Sequence, residues 1–432
     1  MQMDHAPASI FQGRVNPGLP EAELKAALEA VRDAFGEDWL TGNQSHPVRD
    51  LWSRNDFLAT SELFWLGDSI LRITPTAQRW VDDVVSDIES PNRNVRVGAL
   101  FELFAMAMFA SDGQRVEPTR RGNPHFDGDV ILKNLRLRMS LKNFGAPSRE
   151  LEFEKRSEEV RQEMLKTGRA RGTHWVGMLV QAAKYPDSTD WETLRAEIPT
   201  LTQNPNGTYA IGDMWTITVH DAAVQDLESS QLSSSLLVIA PHHKNEQKNF
   251  MDKIEEQCRD LNEAAAGYDS EISSVAMLRL SENAPFEDYV AWAQDYVNQP
   301  KTRLTGIILY QTAVAINMEK DATQIHHHIN VVWKDGIEAP NLRCTVPVGV
   351  PSATPARMEL QGGSKTIQLG SGHFYQRRDL YRSLPVGDSA ERSGSIRQIS
   401  GSTEHLVLGV PGGESVVLSP KHKTLGYLTL FS

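Results

Sequence analysis

Residues 98–110 (GALFELFAMAMFA) hold thirteen positions with a single polar side chain, Glu102. The run is shorter than the roughly 18 residues a membrane span needs. It therefore reads as a helix buried on most of its circumference. Such a helix needs apolar partners on several sides, which commits the chain to a layered fold with a large core. It also isolates one carboxylate among apolar neighbours, where a buried acid requires a partner.

Before that run the chain reads as helical. Residues 20–35 form an amphipathic helix with Pro20 in the first turn and Gly36 as the stop. A Trp- and Leu-rich helical stretch at 51–67 follows, and Thr74-Pro75 opens another helix to about residue 89. Trp39, Trp52, Trp65 and Trp80 fit packing roles. From residue 114 the period changes. Strands are expected at 114–117, 130–132, 135–141, 174–181, 215–219, 235–240, 272–280, 305–317 and 324–333. Helices are expected at 148–166, 247–264 and 285–298, and residues 182–214 read as a Pro-, Asn- and Gly-containing connection. The last 71 residues carry 11 of the 30 glycines and suggest hairpins at 358–369 and 406–418. The expectation is a mixed α/β chain of 432 residues: an N-terminal helical region (1–90), an α/β core with an extension (91–345) and a β-rich C-terminal module (346–432).

The charge distribution narrows the chemistry. The net charge is −12, yet residues 115–171 hold 14 Lys and Arg against 9 Asp and Glu. A basic island in an acidic chain is the pattern of a local anion-binding surface. Two cysteines form neither a disulfide framework nor a metal motif, and no basic-then-apolar leader opens the sequence, so a reduced cytoplasmic protein without membrane contact is expected. No G-x-x-x-x-G-K-[ST] loop is present, so ATP-driven work would need a partner protein.

The chemistry concentrates between residues 98 and 145. A lone Glu102 in an apolar helix is followed by a strand, by Asp127 and Asp129 at alternate positions, and by Lys142 thirteen positions beyond Asp129. Residues two apart on a strand share a face, so Asp127 can converge with Asp129, and Ser140 with Lys142. A hairpin through Lys133-Asn134 would bring the two pairs to neighbouring strands. Carboxylates are hard oxygen ligands suited to Mg²⁺, a metal that polarises phosphate and generates hydroxide. A lysine beside them can orient the attacking water and offset charge on phosphate oxygens. Arg120, Arg121, Lys133, Arg136 and Arg138 are candidates for sequence-independent contacts to a nucleic-acid backbone.

The order helix-Glu, strand, Asp, strand, x-x-Lys resembles the PD-(D/E)XK nuclease superfamily, over roughly residues 94–181. The resemblance implies a restriction-endonuclease-like core and Mg²⁺-dependent cleavage of DNA, with Mn²⁺ as a substitute. It assigns Glu102 as the helix acid, Asp127 or Asp129 as the metal-binding aspartate and Lys142 as the lysine. Restriction, phage defence or DNA repair, with a homo-oligomer or a partner protein, is the biology it suggests. Two positions depart from the pattern. Pro124-His125-Phe126-Asp127 replaces a direct proline–aspartate pair, and Ser140 stands where the second acid is expected. Glu152 or Glu154 on the following helix could supply that acid.

Two other readings follow from the same residues. A chain that kept the fold and lost the second acid would be a non-catalytic DNA-binding or assembly module. A His-centred metal protein would use His326 and His328, which share a strand face; an internal polar strand face explains them more simply. The charged stretch 149–171 is either a solvated face or a DNA contact. Asp127-Gly128-Asp129 also has the composition of a turn.

Overall fold

The fold comes from a computed structural model. It describes residues 19–346 except 56, 111–113, 121–124, 134, 146–147, 172–174, 204–206, 221–232, 242, 266–271, 282–283, 285, 318–321 and 341, together with Arg14, six C-terminal strands and residues 428–431.

Among the described residues, five helices come first: α1 (Glu21–Phe35), α2 (Glu37–Leu40), α3 (Pro47–Ser53), α4 (Phe57–Ile88) and α5 (Arg93–Phe109). Glu21 and Glu23 favour the N-terminal end of α1, and Gly36, at φ 78°, ends it. Leu24, Ala27, Leu28, Val31 and Phe35 form its buried face. At Gly67 the backbone of α4 lies so close to Ala27 that no Cβ would fit. Helix α4 bends at Ala77 (φ −149°, ψ 48°), just after Pro75. The sequence opens a new helix close by, at Thr74-Pro75, but ends the preceding helical stretch at Gly67, whereas α4 runs across both positions. Asn92 caps α5, its side chain accepting from Asn94 N at 3.0 Å.

Strands β1 (Arg115–Pro118), β2 (Gly128–Leu132) and β3 (Leu135–Phe144) form an antiparallel meander, with the β2–β3 hairpin closing at Leu132 opposite Leu135. The chain then leaves for a separate unit of α6 (Ser148–Arg171), β4 (Trp175–Ala182), α7 (Ser188–Leu201), β5 (Gly207–Ile211), β6 (Trp215–His220) and β7 (Ser233–Ala240). It returns through α8 (Glu246–Ala265), β8 (Ile272–Leu280), α9 (Phe286–Val297), β9 (Gly306–Asn317) and β10 (Ala322–Trp333). The main sheet has the order β1-β2-β3-β8-β9-β10, with β3, β8 and β9 mutually parallel.

Central strand β8 is buried on both faces, as parallel strands are. Val275 and Met277 join the core with α1, α4 and α5, while Ala276 and Leu278 join the core with α8 and α9. The N-terminal helices thus share one core with the sheet. The inserted unit has its own core around Phe153, Trp191 and Trp215.

The last strands are β11 (Arg357–Gln361), β12 (Thr366–Gln368), β13 (His373–Arg378), β14 (Ile396–Gln398), β15 (Glu404–Gly409) and β16 (Ser415–Ser419). Both expected hairpins are present, within an antiparallel sheet of order β12-β11-β16-β15-β14. Strand β13 instead pairs with β7 and completes the inserted unit's sheet. A short 3-10 turn, Thr429–Phe431, docks against the helical layer. There Glu62 accepts from Thr429 N (3.2 Å) and Leu430 N (2.8 Å), and Arg93 donates to Phe431 O at 3.0 Å. Among the described residues no helix is long and apolar enough to cross a membrane.

Candidate active site

A cleft of about 340 Å³ opens between α5, the segment before β2, the later part of β3 and α8. Glu102 from α5, Asp127, Lys142 from β3 and Asp260 from α8 line it, with His125 and Ser140 beside them. Three of the four residues expected to carry the chemistry therefore meet in one place, although they lie on three different elements.

Asp127 is fixed by its backbone and its side chain. Its N donates to Met139 O and its carbonyl accepts from Thr119 N, both at 2.9 Å, which extends the meander by one residue. Its Oδ2 accepts from Leu141 N at 2.6 Å. Gly128 lies in close approach to α5: a Cβ there would meet the flexible end of the Met106 side chain at 2.5 Å, which can shift, and Glu117 O at 3.1 Å. That approach brings Asp127 toward the helix that carries Glu102, which is half-buried.

Lys142 Nζ lies 3.7 Å from Glu256 of α8, with both side chains partly exposed. The hydrogen bond from Lys253 (2.9 Å), aided by the Lys142 charge, holds the Glu256 carboxyl below its ordinary range. His125 Nδ1 lies 3.5 Å from Glu263, again on α8. Helix α8 thus presents Glu256, Asp260 and Glu263, spaced four and three apart, along one stripe toward the cleft.

Asp129 is placed elsewhere. It sits opposite Arg138 in the β2–β3 register, is 4% exposed, and accepts from Arg136 at 2.8 Å and Arg138 at 3.2 Å. The expected convergence of Asp127 with Asp129 does not occur, because two guanidinium groups hold the Asp129 carboxylate.

The basic residues divide similarly. Arg120 and Lys133 are exposed, and Arg121 lies outside the described residues. Arg136 is shared between Asp129 and Glu117. Arg138 is turned inward, with its guanidinium carbon 4.2 Å from the centre of the Phe126 ring. Along α6 the charges pair with one another, as Arg156 does with Glu152 (2.6 Å) and Glu159 (3.2 Å). Glu152 and Glu154 lie on this helix, which packs against the inserted unit's core, and neither lines the cleft. The helix that follows β3 at the cleft is α8, about a hundred residues later, and it contributes Asp260.

The histidine run gives a different environment at each position. His327 Nδ1 lies 2.7 Å from Tyr310 Oη, and its ring meets Trp65 edge-on. His328 stacks on Phe286 with centroids 3.6 Å apart, and burial pushes its pKa down to about 4. The His326 side chain lies outside the described residues. No three His, Cys, Asp or Glu side chains are grouped as a metal cage among the described residues.

The cleft's donor set still suits Mg²⁺, which takes one or two carboxylates and keeps several waters. Its carboxylates supply hard oxygen ligands, and no cysteine faces it. A larger cleft of about 400 Å³, beside Arg72, Gln114 and Thr345, has no carboxylate in its lining, and its Arg72 is bound to Asp68 at 2.7 Å. No protein-family model matches the chain, and neither a curated protein nor a solved structure matches it.

Proposed function

We propose that the chain is a metal-dependent endonuclease of the PD-(D/E)XK type that hydrolyses phosphodiester bonds in DNA. The observation that carries this reading is the meeting of Glu102, Asp127 and Lys142 in one cleft. The helix, strand, strand, strand order on which the resemblance rests is preserved around it.

Asp127 and Glu102 would hold Mg²⁺ or Mn²⁺, and Asp260 offers a further carboxylate from the opposite wall, where Ser140 lacks one. The bound metal supplies Lewis acidity and an activated water. Lys142 would orient the attacking water and offset charge developing on the phosphate oxygens. The Leu141 N–H bond keeps Asp127 turned toward the strand that carries Lys142. Arg120 and Lys133, exposed near the meander, suit backbone-phosphate contacts. DNA as substrate, and a role in restriction, phage defence or repair, rest on the family resemblance.

The test is cleavage of plasmid, linear, single-stranded and branched DNA with Mg²⁺ or Mn²⁺, comparing wild type with Lys142→Ala. Metal-dependent cutting that the variant lacks supports the proposal. Equal cutting by both removes this cleft as the catalytic centre. Ser140 favours one second reading, a DNA-binding module without cleavage, which predicts binding of the same DNAs and no cutting by wild type.

A further inference from the structure

The peptide linking Ser140 to Leu141 is gripped at both polar ends by side chains. On one side Leu141 N donates to Asp127 Oδ2 at 2.6 Å. On the other, Ser140 O accepts from Gln257 Nε2 of α8 at 2.9 Å, and Ser140 Oγ lies 3.4 Å from the same nitrogen. The β2–β3 pairing ends at Gly128 opposite Met139. Toward β2, then, a side chain takes over the role of the ladder just where the chain approaches Lys142.

Gln257 itself is poorly provided for. It is 0% exposed, and its Oε1 is buried with no hydrogen-bond partner among the described residues. Exchanging the two amide atoms would not relieve this, because Ser140 O can only accept and therefore requires the nitrogen. Leucine or methionine would fill the same volume without an orphaned acceptor. A buried unsatisfied group in a folded protein calls for an explanation, and the grip on this peptide provides one.

We propose that Gln257 is a positioning residue of the site: it fixes the Ser140–Leu141 peptide so that the Asp127 carboxylate and the Lys142 side chain converge on the cleft. This inference rests on the nuclease reading. Rotation of that peptide would swing Lys142 and withdraw the Leu141 N–H from Asp127 together. A misplacement of about 1 Å in such a site can lower turnover on the order of a hundredfold. Because α8 follows the inserted unit directly, the same amide also ties that unit's exit to the catalytic strand.

The experiment uses the full chain with Gln257→Met, and with Gln257→Leu as a second variant should the first fold poorly. Expected are an unfolding temperature no lower than wild type, a kcat for DNA cleavage reduced at least tenfold, and a KM within about threefold. A merely structural role predicts a lower unfolding temperature with kcat preserved in the folded fraction, and that result overturns the inference. Mn²⁺ titration by calorimetry runs beside it. If wild type cuts no DNA, the nuclease reading fails by itself. The inference then stands if the variant binds Mn²⁺ at least fivefold more weakly than wild type, and it falls if the two bind equally.

Discussion

Asp127 and Asp129 are two residues apart and should respond to substitution in opposite ways. Asp129→Ala removes the ion pair that Asp129 makes with Arg138, whose side chain is 4% exposed, and one of two carboxylates bound to Arg136, which is 40% exposed. Breaking this buried pair costs about 3–5 kcal/mol, while the half-exposed Arg136 pair adds under about 1 kcal/mol. For a cooperative unit of this size that lowers the midpoint by roughly 10 °C. Asp127→Asn leaves an amide oxygen able to accept from Leu141 N, so its stability change stays under about 1 kcal/mol, while DNA cleavage is lost. Scanning calorimetry measures the midpoints, hydrogen exchange at β2 and β3 amides assigns the transition, and plasmid nicking reports activity. If Asp129→Ala unfolds within about 2 °C of wild type and yet no longer cuts DNA, the assignment of the two aspartates is reversed.

The docking of residues 428–431 should depend on pH through Glu62. Burial raises its carboxyl to about 7, against the opposing pull of Arg54 and of the Thr429 and Leu430 N–H groups. The folded state therefore holds a proton that the unfolded chain releases near 4.5. Stability is full below that value and is lost as pH rises through about 7, by up to about 3 kcal/mol. Unfolding measured at pH 5 and pH 8 should differ in wild type and much less in Glu62→Gln; equal stability of wild type at both values refutes the account. The Lys142–Glu256 pair is partly exposed and 3.7 Å long, so Glu256→Gln should change KM for DNA by no more than about fivefold, toward tighter binding. A hundredfold loss of kcat in that variant would instead put Glu256 within the catalytic machinery.

Much of the main sheet could be read from the chain because its signals are local. The apolar runs at 272–280 and 306–317 are long enough to declare buried strands, and Lys133-Asn134 marks the hairpin that sets the Asp127-to-Lys142 offset. Helix α7 and strand β5 lie within a segment whose composition reads as a connection. Pro186, Pro199 and Asn204-Pro205-Asn206 dominate its composition, but the Asp187–Asp190 capping box and the Trp191, Leu194, Ile198, Leu201 face carried the helix signal. Alternation placed Asp127 and Asp129 on one face. Only the cross-strand partner Arg138 decides which carboxylate is consumed, and register is not a local property. The same holds for α8: no spacing rule announces that the helix completing the site comes after an intervening unit with its own core. Strand β13 likewise reads as part of the C-terminal sheet until its partner β7 is known.

The parallel pairing of β3 with β8 joins Arg136 to Ile272, a separation of 136 residues along the chain. During synthesis, β3 leaves the ribosome long before the strand that flanks it, and the inserted unit emerges in between. Domains tend to fold as units in the order they are made, and contacts of such separation form late because the loop between them must close first. The inserted unit, all but its edge strand β13, is therefore expected to fold while β3 still has an open edge. Helix α8, β8 and the cleft follow only once about residue 280 is available. Until then Asp127 and Lys142 exist in the nascent chain without the wall that faces them, so the centre cannot be assembled before roughly two thirds of the chain has been made.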